Sequence, residues 1–155
     1  MIEKTGWEGS FAITIKDKST GEVKEEIILN RLMDAGLNAL ADCLAGSPDI
    51  EIKYLALGTS NTPVSDSQTQ LGNEIFRTQP TSGPTRTATG QIETEFVVLD
   101  NEAVGTIEEV GIFCGSSASS AANTGKLLTR ILWHKEKTSS EEITFRRLDK
   151  VVRAL

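Results

Sequence analysis

The sequence predicts a mainly β domain of the α+β class: an antiparallel, sandwich-like arrangement with one amphipathic helix packed on a sheet, and long loops. Three observations predict it. Apolar and polar residues alternate with period two in most of the segments that carry bulk, as in Phe11, Ile13 and Ile15 or Thr94, Phe96 and Val98. Only one stretch, residues 30–46, has apolar residues at helical spacing. The strand-like segments are joined by turns and loops, whereas a parallel sheet would need repeated crossover helices.

In chain order, Trp7 to Lys16 alternates as a half-buried strand, and Asp17-Lys-Ser-Thr-Gly21 is rich in turn formers. Val23 to Leu29 follows, with Val23, Ile27 and Leu29 in phase, so residues 7–29 read as an N-terminal hairpin. In residues 30–46, Met33, Leu37, Leu40 and Leu44 form one stripe, and Asp34, Asn38 and Asp42 lie opposite. Asn30 is the expected N-cap, and Gly46 with Pro48 beyond it the expected stop. The stripe is narrow and Ala-rich, so the helix is expected to lie against a sheet and to leave little room for a cofactor.

Ile50 to Leu57 is the next strand, closed by Gly58. Thr59 to Gln70 is a polar loop with room for a helical turn near Asp66 to Leu71, after which Ile75 and Phe76 return to the core. Pro80 to Pro84 breaks the chain again. Arg86 to Leu99 reads as one long strand with Ile92, Thr94, Phe96 and Val98 on one face, turned by Asp100-Asn101. Val104 to Cys114 is apolar, Gly115 to Gly125 is a loop of small residues expected to be mobile, and Lys126–His134 and Ile143–Val151 close the chain around a turn at 137–140. The count is seven or eight strands and one helix. With no repeat and no linker, residues 1–155 form a single domain, long enough to bury roughly two thirds of its unfolded surface.

Composition removes several function classes. The net charge is −6, the wrong sign for a protein that holds phosphates, so nucleic acid is not an expected partner. The basic residues collect late, as Arg146, Arg147, Lys150 and Arg153; they read as a solvated face or a subunit contact. Aromatics make up only 5%, too few for a stacking platform. No apolar run reaches membrane-spanning length, and the Met-Ile-Glu-Lys start is unlike a signal peptide, which makes folding in the cytoplasm the expectation. Cys43 and Cys114 read as small buried apolar residues, with a disulfide open on arithmetic alone.

No catalytic, cofactor-binding or metal-binding set emerges. His134 has no partner motif of the kind a general base requires. The serines at 116–120 lie in no Gly-x-Ser-x-Gly elbow. One histidine and two distant cysteines do not make a zinc site. The carboxylate pairs Glu93/Glu95, Glu108/Glu109 and Glu141/Glu142 read as solvated strand faces, and no phosphate-cradling glycine pattern occurs. Gly58, Gly72, Gly105 and Gly111 are placed for turns, bulges or close backbone approach. An enzyme is not expected.

A positive indication comes from "YLALGTSNTPVSDSQTQLGNEIFR", residues 54–77. A strand ending in Leu57-Gly58 leads into a loop with Thr62-Pro63 and Asp66, and closes on Leu71, Asn73, Glu74, Ile75, Phe76 and Arg77. This resembles tail proteins of tailed bacteriophages. "LMDAGLNALADCLAG" before it is similar to the Asp-Ala-Gly-Leu helix of that family. "TIEEVGIF" (residues 106–113) is similar to its Ile-x-Glu-apolar-Gly-apolar-Phe segment, and "KLLTRILW" (126–133) to the strand that follows. The likeness covers residues 32–151 and is to the N-terminal domain of tail-collar fibre proteins and to small prophage tail or baseplate proteins. It implies a virion component at the tail tip or baseplate, made in the host bacterial cytoplasm, without activity or cofactor. It also implies homo-oligomers and docking on other tail proteins. Fibre proteins continue into a shaft where this chain stops, which leaves a stand-alone subunit and an excised attachment domain both open. Asn73, Glu74 and Arg77 are expected to pin the end of the long loop. The rival readings are a capsid or tail-tube decoration protein and a receptor-binding module for host surface glycans; for the latter only Trp7, Tyr54 and Trp133 are eligible aromatics.

Overall fold

The computed structural model describes residues 6–153. Among them are nine strands and one helix: β1 (Trp7–Asp17), β2 (Val23–Asn30), α1 (Asp34–Leu44), β3 (Ile52–Gly58), β4 (Glu74–Thr78), β5 (Ser82–Ala88), β6 (Gln91–Val98), β7 (Gly105–Cys114), β8 (Lys126–Lys137) and β9 (Glu141–Val151). They form two antiparallel sheets, β2-β1-β9-β6-β5 and β4-β3-β7-β8. The inner faces meet in a core of Phe11, Ile13, Leu55, Leu57, Phe96, Val98, Val110, Ile112, Ile143 and Phe145. Phe145 sits at its centre, edge-on to Phe11 (5.8 Å) and Trp133 (5.6 Å). The mainly β, antiparallel, one-helix class is the one the sequence predicts.

The first hairpin forms where expected. Asp17 Oδ1 accepts from the Ser19 N–H and hydroxyl, and Gly21 adopts the left-handed φ of 75° that closes the turn. Its second strand, however, is turned over. β1 buries Phe11 and Ile13, and the register sets Ile28 and Glu26 opposite them. The inner face of β2 is therefore Lys24, Glu26 and Ile28, and Glu26 accepts from the Trp133 indole across the sandwich. Val23, Ile27 and Leu29 face outward, 54%, 75% and 81% exposed. Alternation told which residues share a face but not which face turns inward.

The helix follows its expected stripe only in part: Met33 and Leu40 pack on the core. Met33, not Asn30, occupies the N-cap, with no side-chain cap bond, and its residues packed most deeply on the sheet are Gly36 and Ala39. A Cβ on Gly36 would stand 3.0 Å from both Leu128 Cδ1 and the Leu128 carbonyl oxygen, so the helix lies close on β8. Leu37 and Leu44, read as part of the buried stripe, are exposed, Leu44 by 95%. The C-terminus behaves as read: Gly46 takes φ 85° and bonds Cys43 O.

Three further readings change. The long strand 86–99 is a hairpin, with Gly90 at φ 71° between β5 and β6; β5 already starts at Ser82, inside the stretch read as a break. The loop 59–70 contains a turn closed by Gln68 N–H to Ser65 O and no helix. Ile75 is exposed while Phe76 packs against the core.

Candidate functional site

Two buried ion pairs hold the ends of the two longest loops. Glu109 lies on β7 beside Gly58 of β3 and is wholly buried. One oxygen accepts from Arg130 Nε of β8 at 2.7 Å and from Gly72 N–H at 2.9 Å; the other accepts from Asn73 N–H at 2.8 Å and Ser60 N–H at 3.2 Å. The rest of the Arg130 fork is also used. Nη1 donates to Thr62 O (2.9 Å) and Gln68 Oε1 (3.3 Å), and Nη2 to Ser60 O (3.3 Å). A buried charge pair of this kind holds only if its remaining donors and acceptors are satisfied. Here the loop 59–73 wraps around the pair and supplies nearly all of them. Gly58 is required by that closeness: a Cβ there would stand 2.5 Å from Asn73 O and closer still to Glu109 Oε1. At Gly72 the obstacle would be the Ser60 side chain.

The second pair is Glu74–Arg77 on β4. Arg77 Nε and Nη2 bind the two carboxylate oxygens at 2.7 and 2.8 Å, with both side chains almost entirely shielded. Residues three apart on a flat strand face opposite ways. Between Phe76, opposite Leu57, and Glu74, opposite Gly58, the register gains one residue, so the bulge at Ile75 turns Glu74 and Arg77 to the same side. The guanidinium lies 4.6 Å from the Phe113 ring centre and 5.2 Å from that of Tyr54. Its Nη1 reaches into the second loop, donating to Ser119 O (2.8 Å) and Thr124 O and Oγ1 (both 3.1 Å). Glu74 accepts from Asn123 N–H in the same loop. At the other end of that loop Asp49 accepts from Ser116 N–H (2.7 Å) and pairs with Lys126 (3.2 Å). The Ser116 bond, then Lys126, holds the Asp49 carboxyl below its usual range. Residues 115–125, read as mobile, are thus tied at both ends.

Of the residues the sequence marked, Asn73, Glu74 and Arg77 sit at these anchors, with Asn73 Nδ2 donating to Thr59 Oγ1 at 2.6 Å. The late basic group divides. Arg146 and Lys150 project from the outer face of β9, Arg146 bonded to Glu95 at 3.5 Å, and Arg153 is exposed beyond the strand. Arg147 is a correction: it is not a subunit contact but a fully buried core residue. Its guanidinium pairs with Asp149 (3.1 Å), donates to Thr129 Oγ1 (3.1 Å) on the opposite sheet and to Asn30, and lies over Phe11 at 4.9 Å. Asn30 is therefore an interior acceptor. Arg147 is buried because period-two alternation puts it on the same face of β9 as Ile143 and Phe145, which face the core.

Two glutamates read as solvated are also buried. Glu109 is one. Glu141 is the other: burial alone would raise its carboxyl, but bonds from Lys135 Nζ (2.7 Å) and Thr138 N–H (2.8 Å) bring it below its ordinary value. Glu109 and Arg130 were missed because their partners are far along the chain. The one local signal was glycine at 58 and 72, residues already marked for close backbone approach. His134 is exposed, 2.8 Å from Glu108. Both cysteines are free, and burial pushes the Cys114 thiol up to about 12.

An apolar groove of about 1040 Å³ opens between the end of the β1/β2/β9 sheet and α1, lined by Trp7, Leu29, Leu37, Leu40, Leu44 and Val151 among others, with Asp66 of the first loop at its side. Among the described residues no cluster of His, Cys, Asp and Glu could hold a metal ion, and no helix is long and apolar enough to cross a membrane. No family model, curated protein or solved structure matches the chain.

Proposed function

We propose that this chain is a structural, non-enzymatic virion protein of a tailed bacteriophage that acts in the tail tip or baseplate, or as a fibre-attachment adaptor, through protein–protein contacts. The observation that carries the reading is spatial. The segments whose order resembles phage tail proteins lie far apart in sequence, yet residues from three of them meet in the loop anchors: Gly58, Asn73, Glu74 and Arg77 from the first, Glu109 from the second and Arg130 from the third. The buried charge of these segments is spent on fixing two long surface loops to a rigid double sheet. That suits an assembly subunit, whose loops must meet neighbours in a defined shape.

The glycan-binding alternative gains no support from its three eligible aromatics, all of which serve the fold. Trp7 donates to Asp149 and lies against Arg147, Tyr54 lies under Arg77, and Trp133 is buried against Phe145.

The test is immunogold labelling and cryo-electron microscopy of particles from the phage or prophage that encodes the chain. Label at the distal tail, and loss of tail parts on deletion, is the expected result. Label on the head would favour the decoration reading, and a chain missing from purified particles overturns the proposal.

A further inference from the structure

β2 is the outer strand of its sheet, and its free edge is long, regular and apolar on the outward side. The bond from Asp17 N–H to Glu22 O (2.9 Å) sets the hydrogen-bond alternation of the hairpin. With the β1–β2 register, the even-numbered residues of β2 bond to β1. The backbone groups of Val23, Glu25, Ile27 and Leu29 then point away from the sheet, and among the described residues no strand covers them. The same four residues carry the outward side chains, three of them large and apolar. Soluble proteins normally blunt such an edge, because it templates pairing with another chain.

From this edge we infer that β2 pairs with β2 of a second copy of the chain, antiparallel and about a two-fold axis through Ile28, joining two five-stranded sheets into one of ten. This rests on the assembly reading above and names its partner and surface. A two-fold contact must be self-complementary, and β2 meets that condition in one register. With Ile28 on the axis, Ile27 lies opposite Leu29 of the copy, and Glu25 opposite Arg31 of the copy, so apolar meets apolar and negative meets positive. Moving the axis to Ile27 sets Glu25 against Leu29, and moving it to Glu26 sets two carboxylates face to face. The Arg31 side chain is 75% exposed, paired at its tip with Asp66 and within reach of a second carboxylate. Past Leu29 the apolar surface continues into the groove with Leu37 and Leu44, which extends the contact beyond the bare strand.

Sedimentation equilibrium on the purified chain, with Ile27→Lys and Leu29→Lys beside it, tests the interface. Both positions are solvent-exposed in the single chain, so the circular dichroism of the folded variants should match wild type. The wild type is expected to be dimeric or a higher multiple of a dimer, and each substitution to weaken that association at least tenfold. Cross-linking reads the register directly. In a Cys43→Ser background, Ile27→Cys protein mixed with Leu29→Cys protein should give a disulfide-linked pair on mild oxidation, and each alone should give little. A monomeric wild type, lysine variants that associate like wild type, or cross-linking by Ile27→Cys alone each overturns this interface. None of those results bears on whether the chain resides in the virion, which particle labelling decides separately.

Discussion

Arg130 Nε stands 2.7 Å from Glu109 Oε2 with both side chains wholly buried, and the backbone of residues 60–73 closes around them. The polar loop of residues 59–70, with Gly72 and Asn73 after it, is the hydrogen-bonding shell of a salt bridge. Its small polar residues are suited to that task, because they let backbone N–H and C=O groups approach the two charges closely.

Glu109→Gln keeps the shape and removes the charge, leaving Arg130 buried without its counter-ion. The expected loss is about 3–5 kcal/mol of unfolding free energy, read as a lower midpoint in urea at unchanged slope. The double variant Glu109→Gln/Arg130→Met should cost clearly less than the two single losses added together. Additive losses would mean that the pair does not act as a unit.

Arg77→Ala should free the second loop without disturbing the core. In hydrogen exchange, the amides of Ser119 and Asn123, which bond Thr124 Oγ1 and Glu74, should lose at least tenfold of their protection, while the amide of Ile112 keeps its own. Equal loss at all three would make Arg77 a global stabiliser and not a loop anchor.

Gly58→Ala would drive a methyl group into Glu109 and Asn73 O, and a cost of about 1–3 kcal/mol or more is expected from the forced shift. Gly6→Ala, with nothing within 4 Å of the new carbon, is the matched control and should leave the thermal midpoint in place. If the two variants melt together, the close approach at Gly58 is wrong.

The Glu141 carboxyl titrates below its ordinary 4.5 in the folded chain. Its contribution to stability is therefore complete above pH 4.5 and lost as the pH falls through the lower, folded value. Glu141→Gln should flatten the acid limb of stability against pH and leave the slope above neutrality alone. An unchanged acid limb would show that Lys135 and Thr138 do not hold the ionised form.

Cys114 is inaccessible and its thiol is pushed up to about 12 by burial, whereas Cys43 is half-buried near the groove. Mass spectrometry after iodoacetamide should find Cys43 modified and Cys114 untouched in native protein, and both modified in urea. Labelling of Cys114 in native protein would mean that β7 opens there.

The amino-acid sequence by itself determined the class of this fold. Period-two alternation marked most of the strands, one amphipathic stretch marked the helix, and turn residues at Gly21, Gly46 and Asp100-Asn101 marked where the chain reverses or stops. Tertiary structure decided what those patterns leave free. Alternation has a period but no sign, so the outward turn of Val23, Ile27 and Leu29 was settled by the register of β2 against Phe11 and Ile13. On the helix, Met33 and Leu40 of the stripe turn inward, while the close approach at Gly36 sets the packing distance and Leu37 and Leu44 stay in solvent. Glu109, Arg130 and Arg147 look like surface charges in a string of letters. They are buried because their partners come from elsewhere in the fold — residues 60–73 for the first two, Asn30 and Thr129 for the third — and a charge leaves water only where such partners have already been brought together.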